Sequence, residues 1–440
     1  MLRWPPDLAG RARFVLRDAA VPQCLLDAVP RDAPVDAEEL ARVDIAVIDG
    51  RIAAIARAQA AEGGEHDIAL GGNQVWPCFV DMHTHLDKGH IWPRADNPQG
   101  TFDGALAAVA ADCTANWTAE DVAARMDWGL RASYAHGTAA IRTHINSDAP
   151  QHAISWPVFA RLREAWRGRI ELQAVTIIML EQLMGPFGDE LADLVAAHRG
   201  VLGGVAARSP DLDAHLNRVF ALAAARGLDL DFHADESENP EGMGLRAIAQ
   251  AKLRHRFAGQ VTVGHCCTLA LQAPQDMDRT LDLVAEAQVS VVSLPMCNLF
   301  LQDRQAGRTP RWRGVTLLHE MRARGIPVSV ASDNCRDPFY GYGDHDMLEV
   351  FRESARIAHL DRPVGAWPAA VTRTPAEAMG RQEHGRICMG DAADLVLFNA
   401  RGYSELLSRP QADRVVLRAG KPIDTTLPSY RELDRWMGTP

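Results

Sequence analysis

The sequence predicts an α/β protein, a (β/α)8 barrel of the TIM type with a small β-sandwich domain built from both chain ends. About eight short apolar runs alternate with longer amphipathic stretches over residues 77–385, which is the pattern of such a barrel. The two chain ends carry short alternating runs typical of β-strands. An open doubly wound sheet is the alternative, but no Gly-x-Gly-x-x-Gly turn follows a predicted strand.

The small β-domain is predicted from segments near both termini. Residues 41–56 alternate apolar and polar positions on either side of Asp49-Gly50, which is a strong signal for a β-hairpin. Residues 389–400 and 413–423 are again short and rich in β-forming residues. Because chain ends often meet in folded proteins, we expect residues 1–76 and 386–440 to form one small domain beside the barrel.

The barrel strands are predicted in chain order, with amphipathic helices such as ELADLVAAHR and LNRVFALAAARG between them. The loop-rich stretch 92–117 is expected to border a cleft. The predicted strands lie in QVWPCFVDMHTH, AAIRTHIN, IELQAVTIIM, LGGVAAR, LDLDFHA, VTVGHC, VSVVSLPM and IPVSVASD.

Composition excludes several classes of partner. The 440 residues include 46 Lys and Arg against 57 Asp and Glu, a formal net charge of −11, so nucleic acids and anionic membranes are not expected to bind. No uncharged apolar run reaches the roughly 18 residues of a membrane span. The 8 cysteines form no Cys-x-x-Cys pair, and the first residues do not resemble a signal peptide. We therefore expect a cytoplasmic protein with reduced thiols.

Polar side chains stand at the ends of five predicted barrel strands. In a barrel of this type the active site gathers at the carboxyl ends of the strands. Imidazole and carboxylate groups are ligands of divalent transition metals, so these strand ends predict a metal site. The groups are His83-Thr84-His85, Arg142-Thr143-His144, His233 to Glu236, Gly264-His265 and Ser332 to Asn334.

Each candidate ligand also has an ordinary structural interpretation. His83 and His85 share one face of a strand and can reach one ion, but a His-x-His pair alone is a weak signal. His233 alone is more typical of a hydrogen-bonded core histidine than of a metal ligand. Asp333 follows an apolar strand, where a carboxylate without a partner is costly, so a cation beside it is favoured.

Two further groups are candidates for proton transfer. Glu236 lies just past its strand, and a partly buried carboxyl with a raised pKa can shuttle protons, although a solvated loop acid is the alternative. His265 either has a structural role or contacts the reacting oxygen. His144 ends a strand and Lys88 follows one, but no spacing argument assigns either a role.

The ordered strand-end motifs resemble the amidohydrolase superfamily and, within it, are most similar to the bacterial cytosine deaminases. The resemblance covers nearly the whole chain. A C-terminal segment, GDAADLVLFNA, resembles the return of the chain to the small β-domain in that superfamily. The other matching segments are FVDMHTHLDK (79–88), IRTHINSD (141–148), DFHADE (231–236), VTVGHCCT (261–268), LPMCNLFLQDR (294–304), RWRGVTLLHEM (311–321) and SDNCRDPFYGYGDHDML (332–348).

The resemblance assigns roles to individual residues. Glu236 matches the proton-shuttling acid, and His265 the histidine that hydrogen-bonds the attacking hydroxide, while Asp333 also takes the proton from water. The middle strand IELQAVTIIM has no lysine to bridge two metals, so a single ion is implied. The implied ligands of that divalent ion, zinc or iron, are His83, His85, His233 and Asp333.

The expected substrate-binding residues differ from those of cytosine deaminases. Met179 takes the place of a glutamine that holds the pyrimidine, and Gln182 is the nearby amide that is a candidate to replace it. Asn334 replaces an acid and Phe339 a tryptophan. Because a site built around one polar edge discriminates against other edges, these changes predict a changed substrate.

The resemblance implies a hydrolytic deaminase that releases ammonia from a cytosine-like amino N-heterocycle through a metal-activated hydroxide. A 5-substituted cytosine, isocytosine, creatinine and an aminotriazine remain open as substrates. One alternative is an N-alkylaminotriazine hydrolase of the N-isopropylammelide type, which releases an alkylamine. Another is a non-catalytic, metal-stabilised binding protein. The partner is then a small heterocycle, and a homo-oligomer is in keeping with the superfamily.

Overall fold

The computed structural model describes residues 4–59 and 64–438. Within these ranges the chain forms 16 strands and 13 helices. The strands are β1 (Arg13–Pro22), β2 (Leu40–Ile48), β3 (Arg51–Arg57), β4 (Asp67–Ala69), β5 (Val75–Pro77), β6 (Phe79–Thr84), β7 (Thr138–Asn146), β8 (Glu171–Ile177), β9 (Leu202–Ala206), β10 (Leu230–Ala234), β11 (Val261–His265), β12 (Ser290–Ser293), β13 (Val328–Val330), β14 (Leu395–Leu397), β15 (Val415–Arg418) and β16 (Lys421–Pro422).

The helices lie mainly between the strands of the barrel. They are α1 (Phe102–Asn116), α2 (Ala119–Ala135), α3 (His152–Ala165), α4 (Pro186–Ala197), α5 (Leu212–Arg226), α6 (Gly244–His255), α7 (Pro274–Glu286), α8 (Pro295–Leu301), α9 (Leu318–Ala323), α10 (Met347–Ile357), α11 (Arg373–Ala378), α12 (Tyr403–Ser408) and α13 (Asp434–Met437). None of these helices combines the length and the apolar character that crossing a membrane requires.

Strands β6 to β13 form a closed ring. One sheet has the order β6-β7-β8, and another runs from β9 to β13 with each strand parallel to the next. Parallel bridges from Val175 to Val201 and from Met179 to Val205 join β8 to β9, and a bridge from Thr84 to Asp333 joins the ends of β6 and β13. The predicted (β/α)8 barrel is therefore confirmed.

The helices cover the barrel with their apolar sides. Strands β8, β9, β10 and β11 are followed by α4, α5, α6 and α7 in turn. In α7, for example, Leu281 and Val284 are buried, while the rest of that helix is largely charged. This arrangement places the carboxyl ends of the strands at one end of the barrel, where their polar residues meet.

The chain divides into two compact units. One comprises Met1–Asp81, Arg131–Ala140 and Asp346–Leu427, and the other Met82–Leu130, Ile141–His345 and Pro428–Pro440. Strands from both chain ends thus lie in the first unit. The predicted division at residues 76 and 385 stays a prediction.

The first unit contains two four-stranded sheets, with the orders β3-β2-β1-β4 and β16-β15-β14-β5. The predicted hairpin joins β2 to β3 at Asp49 and Gly50, where both residues have a positive φ, as a two-residue hairpin turn requires. A Cβ atom on Gly50 would lie 2.5 Å from the carbonyl oxygen of Ala419, so the close backbone approach also requires glycine there.

Candidate metal centre and active site

The four predicted metal ligands meet at the carboxyl end of the barrel. His83 lies in β6, His85 directly after it, His233 in β10 and Asp333 beyond β13. All four are buried, with at most 6% of their surface exposed. The backbone N–H of Asp333 donates to the carbonyl of His83 at 2.8 Å, which holds the two strand ends together.

The candidate ligand atoms face one another at the spacing that one ion requires. The Oδ1 atom of Asp333 is 3.2 Å from Nε2 of His85 and 3.6 Å from Nε2 of His83. The Nε2 atoms of His85 and His233 are 3.4 Å apart. Two ligands on a tetrahedral zinc ion, bound at about 2.0–2.1 Å, are about 3.3–3.4 Å apart. The donor set therefore fits a single divalent ion.

The protonation of these histidines also suits a metal. Burial, followed by the charges of neighbouring groups, lowers the pKa of His83, His85 and His233 well below the usual value. The rings are therefore neutral, as metal ligands must be. Neither nitrogen of His83 has a hydrogen-bond partner in the described structure, although buried polar atoms are normally paired. A cation would satisfy these atoms.

A further imidazole, that of His144, lies in the same cluster. Its ring is fully buried at the end of β7, with its centre 3.9 Å from that of His83 and 4.7 Å from that of His233. Burial lowers its pKa well below the usual value. His144 thus packs against two candidate ligands, a contact that strand spacing could not predict.

Glu236 and His265 lie beside the cluster and share one neighbour, Asn298 of α8. The Oε1 atom of Glu236 is 3.3 Å from Nδ1 of His265. The Nδ2 group of Asn298 donates to Oε1 of Glu236 at 3.1 Å and lies 3.0 Å from Nδ1 of His265. An amide nitrogen only donates, so Nδ1 of His265 is the acceptor and the proton of the neutral ring sits on Nε2. Asn298 was not predicted as a site residue, although it lies in one of the matching segments.

Glu236 and His265 both have strongly shifted pKa values. Burial, and then the negative charge of Asp333, raises the pKa of Glu236 well above its usual range. Burial, and then the positive charge of Lys88, lowers the pKa of His265 to about 3. A carboxyl whose pKa is raised is better suited to act as a general acid than an ordinary one.

The backbone at these strand ends is strained. Asp235, His265, Cys266 and Asp333 all have φ between 54° and 70°, the left-handed region that non-glycine residues rarely occupy. The carboxylate of Asp235 accepts the backbone N–H groups of Gly244 and of the next residue, both at 2.9 Å, at the start of α6. Such strain is typical of functional sites, where surrounding contacts maintain it.

A cavity of about 270 Å³ opens above the cluster. A small, mostly apolar cavity with a few polar groups is typical of a site for a small molecule. Its polar lining includes His85, Lys88, His233, Asp235, Glu236, His265, Asp333 and Asn334, and its apolar walls include Phe102, Leu106, Ile177, Val205 and Phe339.

The predicted substrate-binding residues fall into two groups. Asn334 and Phe339 line the cavity, whereas Met179 and Gln182 do not. After β8 the chain enters a short 3-10 turn over Leu180–Met184, which carries Gln182 outward to donate to Asp148 at 2.7 Å. The residue of that strand that lines the cavity is Ile177, so the cavity gives Met179 and Gln182 no support as substrate-binding residues.

Asn334 lines the cavity but its side chain already has protein partners. Its Nδ2 group donates to Oδ2 of Asp337 at 2.7 Å, and its Oδ1 atom accepts the thiol of Cys297 at 3.5 Å. The wall residues Phe102, Ile177 and Val205, and the polar residue Lys88, were not predicted to line it. Their positions depend on loops and strands that are distant along the chain.

Comparisons with known proteins place these observations in context. A family profile described as the amidohydrolase family matches residues 118–424. The pterin deaminase of Rhizobium rhizogenes (strain K84) is 54% identical over 435 residues, which cover 99% of this chain and 98% of that protein.

Two other relatives are more distant. The N-isopropylammelide isopropyl amidohydrolase of Pseudomonas sp. (strain ADP) is 26% identical over 374 residues, covering 81% of this chain and 87% of that protein. The crystal structure of 5-methylcytosine deaminase from Klebsiella pneumoniae, liganded with 5-fluorocytosine, superimposes with a TM-score of 0.81 at 23% identity. The superposition covers 93% of this chain and 97% of the chain of the Klebsiella enzyme. The last similarity shows the shared fold.

Proposed function

This chain belongs to the amidohydrolase family, and from that premise we propose that it is a metal-dependent pterin deaminase. It is a hydrolase of C–N bonds in cyclic, amidine-like groups, and it deaminates an N-heterocycle. The observation that carries the choice of heterocycle is the 54% identity with a pterin deaminase over 99% of the chain. A pterin, a 2-amino-4-oxopteridine, thus replaces the cytosine-like ring that the sequence motifs suggested.

The proposed metal is held by His83, His85, His233 and Asp333, whose ligand atoms face one another. A divalent ion there supplies the Lewis acid that makes water a competent nucleophile near neutral pH. Whether zinc or iron occupies the site is a question for metal analysis, because both accept imidazole and carboxylate ligands.

The protein groups then divide the proton transfers between them. Glu236 gives its proton to a ring nitrogen next to the carbon that bears the amino group, which makes that carbon electrophilic. The Nε2–H group of His265 donates to the attacking oxygen. Asp333 accepts a proton from water and passes it to the amino group, which leaves as ammonia, and the proton that remains on the new C–OH group returns to Glu236. The carbon keeps the oxygen as a new oxo group.

The aromatic and aliphatic lining of the cavity supports a partly apolar heterocyclic substrate. Phe102 and Phe339 meet edge to face at 5.6 Å and form part of its wall. Aromatic and aliphatic walls bind heterocyclic rings by apolar contact, while the few polar groups orient them.

The N-isopropylammelide enzyme among the relatives keeps one alternative open, because the same centre can release an alkylamine instead of ammonia. A non-catalytic binding protein is disfavoured by the network of Glu236, Asn298 and His265, which a purely structural ion does not require.

The test is a product screen on the purified, metal-analysed protein. Pterin, cytosine, 5-methylcytosine, isocytosine, creatinine and N-isopropylammelide are incubated in parallel, and ammonia and isopropylamine are measured separately. We expect the highest kcat/KM, with ammonia as product, for pterin. Preferred turnover of a pyrimidine or a triazine would contradict the pterin assignment, and no product from any of these rings would contradict the deaminase itself.

A further inference from the structure

Lys88 is a buried lysine in the wall of the cavity. It follows β6 just beyond the candidate ligand His85, and only 5% of its surface is exposed. Its side chain lines the cavity, and its Nζ atom lies 4.3 Å from the centre of the Phe339 ring. The ammonium therefore stands over an aromatic ring that itself faces the substrate space.

No hydrogen bond or ion pair holds this ammonium within residues 4–59 and 64–438. Other buried cations of the same chain are paired: Arg125 with Asp121, Arg142 with Asp231 and Arg414 with Asp346. Burying a charge without a direct ion pair is costly, and the contact with Phe339 and the nearby carboxyl groups of Asp337 and Glu236 offset only part of that cost. The free donors of Lys88 are thus available to a ligand in the cavity.

Lys88 lines the same cavity as the candidate ligands His85, His233 and Asp333 and as Glu236. Burial is the largest cause of the lowered pKa of His85, and the positive charge of Lys88 is the second largest cause. The same charge opposes the effect of burial and of Asp333 on the pKa of Glu236. Lys88 therefore acts at the end of the cavity where the candidate metal ligands and Glu236 lie.

We propose that Lys88 binds the oxo oxygen of the substrate ring, on the carbon separated by one ring nitrogen from the carbon that loses its amino group. In a pterin this is the 4-oxo group, so the inference rests on the proposed function. An ammonium donates to this oxygen and stabilises the negative charge that the N–C=O unit accepts during attack. The substrate class is then a 2-amino-4-oxo heterocycle.

The assignment makes a specific prediction about related rings. In 2,4-diaminopteridine an amino group replaces the oxo oxygen, so two donors would face each other at Lys88. A site built to hydrogen-bond one polar group discriminates strongly against an analogue without it. Lys88 would thus select pterins over diaminopteridines with the same two-ring shape.

The experiment compares Lys88→Met with the wild type on pterin and on 2,4-diaminopteridine. Methionine keeps an unbranched chain of similar length but removes the donors. We expect kcat/KM for pterin to fall about 100-fold, whereas that for 2,4-diaminopteridine does not fall, so the preference for pterin collapses. Lys421→Met, at an exposed lysine of the other compact unit, is the matched control and should behave as the wild type.

A binding assay separates the proposed function from the role of Lys88. Pterin binding is measured by the quenching of pterin fluorescence. If the wild type releases no ammonia from pterin yet binds it more tightly than Lys88→Met does, the proposed function fails and the role of Lys88 stands. An unchanged preference and unchanged binding in a folded, metal-loaded Lys88→Met protein would overturn the role of Lys88. An equal loss of turnover for both rings would overturn it as well, because Lys88 would then act on the centre and not on the oxo group.

Discussion

The amide of Asn298 links Glu236 and His265, the two residues proposed to handle protons. It donates to Glu236 and to His265, so it sets the position of the carboxyl group and the tautomer of the imidazole together. A single short side chain thus leaves the Nε2–H group of His265 available as a donor. This arrangement requires both hydrogens of one amide, which few other side chains could supply.

At the same scale, Glu236→Gln tests the proton shuttle. Glutamine has nearly the same shape but cannot deliver a proton, so we expect kcat to fall by at least about 100-fold. Glu236 is not among the four proposed ligands, and the metal content should therefore stay at the level of the wild type. Steady-state kinetics and metal analysis of one sample measure both quantities.

The control for this substitution is Glu238→Gln, which changes an exposed carboxylate in the same loop. We expect it to keep wild-type turnover. Near-normal kcat in Glu236→Gln would show that this carboxyl does not carry the proton, whatever the metal content.

At the scale of the elements, β11 passes close to the ring of His83. A Cβ atom on Gly264 would lie 2.9 Å from Cε1 and 3.2 Å from Nδ1 of that ring. The ring is fully buried, and His144 packs on it at 3.9 Å between centres. Glycine in this strand therefore leaves room for a candidate metal ligand.

Gly264→Ala should displace His83 and so reduce both metal content and activity. Since small misplacements of reacting groups are costly, we expect kcat/KM to fall about 10-fold or more. Gly185→Ala is the control, because a Cβ there meets nothing within 4 Å and the residue has φ −98°. Full metal content and full activity in Gly264→Ala would contradict the steric argument.

Helix α10 begins at a buried ion pair. Asp346 is its N-cap and accepts the backbone N–H of Leu348 at 3.0 Å. Its two carboxylate oxygens also accept both Nη groups of Arg414, at 2.7 and 2.6 Å. Burial alone would raise the pKa of Asp346, but the charge of Arg414 outweighs it and the pKa falls to about 2.

This pair predicts a pH-dependent stability. The folded pKa of Asp346 is below that of the unfolded chain, so the stabilisation is complete above about pH 4 and is lost as the pH falls toward about 2. Asp346→Asn should lower the free energy of unfolding by about 3 kcal/mol at neutral pH, because it leaves Arg414 without its charge partner.

Urea unfolding of the wild type and Asp346→Asn at several pH values measures this difference. It should be constant between about pH 8 and 5 and shrink below about pH 4. Asp32→Asn, at an exposed loop position, should show no such difference. If the difference in the free energy of unfolding between the two proteins stayed unchanged at the lowest pH, the role of the Asp346 carboxylate charge would be contradicted.

At the scale of the whole molecule, the proposed metal joins distant parts of the barrel. Its candidate ligands come from the ends of β6, β10 and β13. Strands β6 and β13 are the first and last strands of the barrel, and a bridge between Thr84 and Asp333 joins their ends. Without an ion, neutral imidazoles and a buried carboxylate face one another at 3.2–3.6 Å. Metal binding should therefore stabilise the barrel as well as support catalysis.

Chelation provides the corresponding test. We expect a strong chelator to abolish turnover and to lower the unfolding temperature by about 3 °C or more, with both restored by zinc or iron. In His233→Ala, which lacks one ligand, the chelator should have a much smaller effect on the unfolding temperature. An equal effect on both proteins would show that the chelator does not act through this centre.

The local pattern of the chain was enough to predict the barrel and the histidine and carboxylate groups that meet at one end of it. Apolar runs that end in His83, His233 or Asp333 point to strand ends, and a closed ring of parallel strands brings such ends together without further information. The amidohydrolase family and the hydrolase activity on cyclic C–N bonds were predicted from the same motifs and are confirmed. The roles of the individual site residues stay predictions.

The folded chain alone decided which side chains line the substrate space. Ile177 does so while Gln182 points away, because a turn after β8 changes the direction of the chain. Asn298 reaches Glu236 across 62 positions of sequence, and Lys88 stands over Phe339 from a separate loop. Alternation along a strand shows which residues share a face, but loop direction and contacts between distant segments depend on how the complete barrel packs.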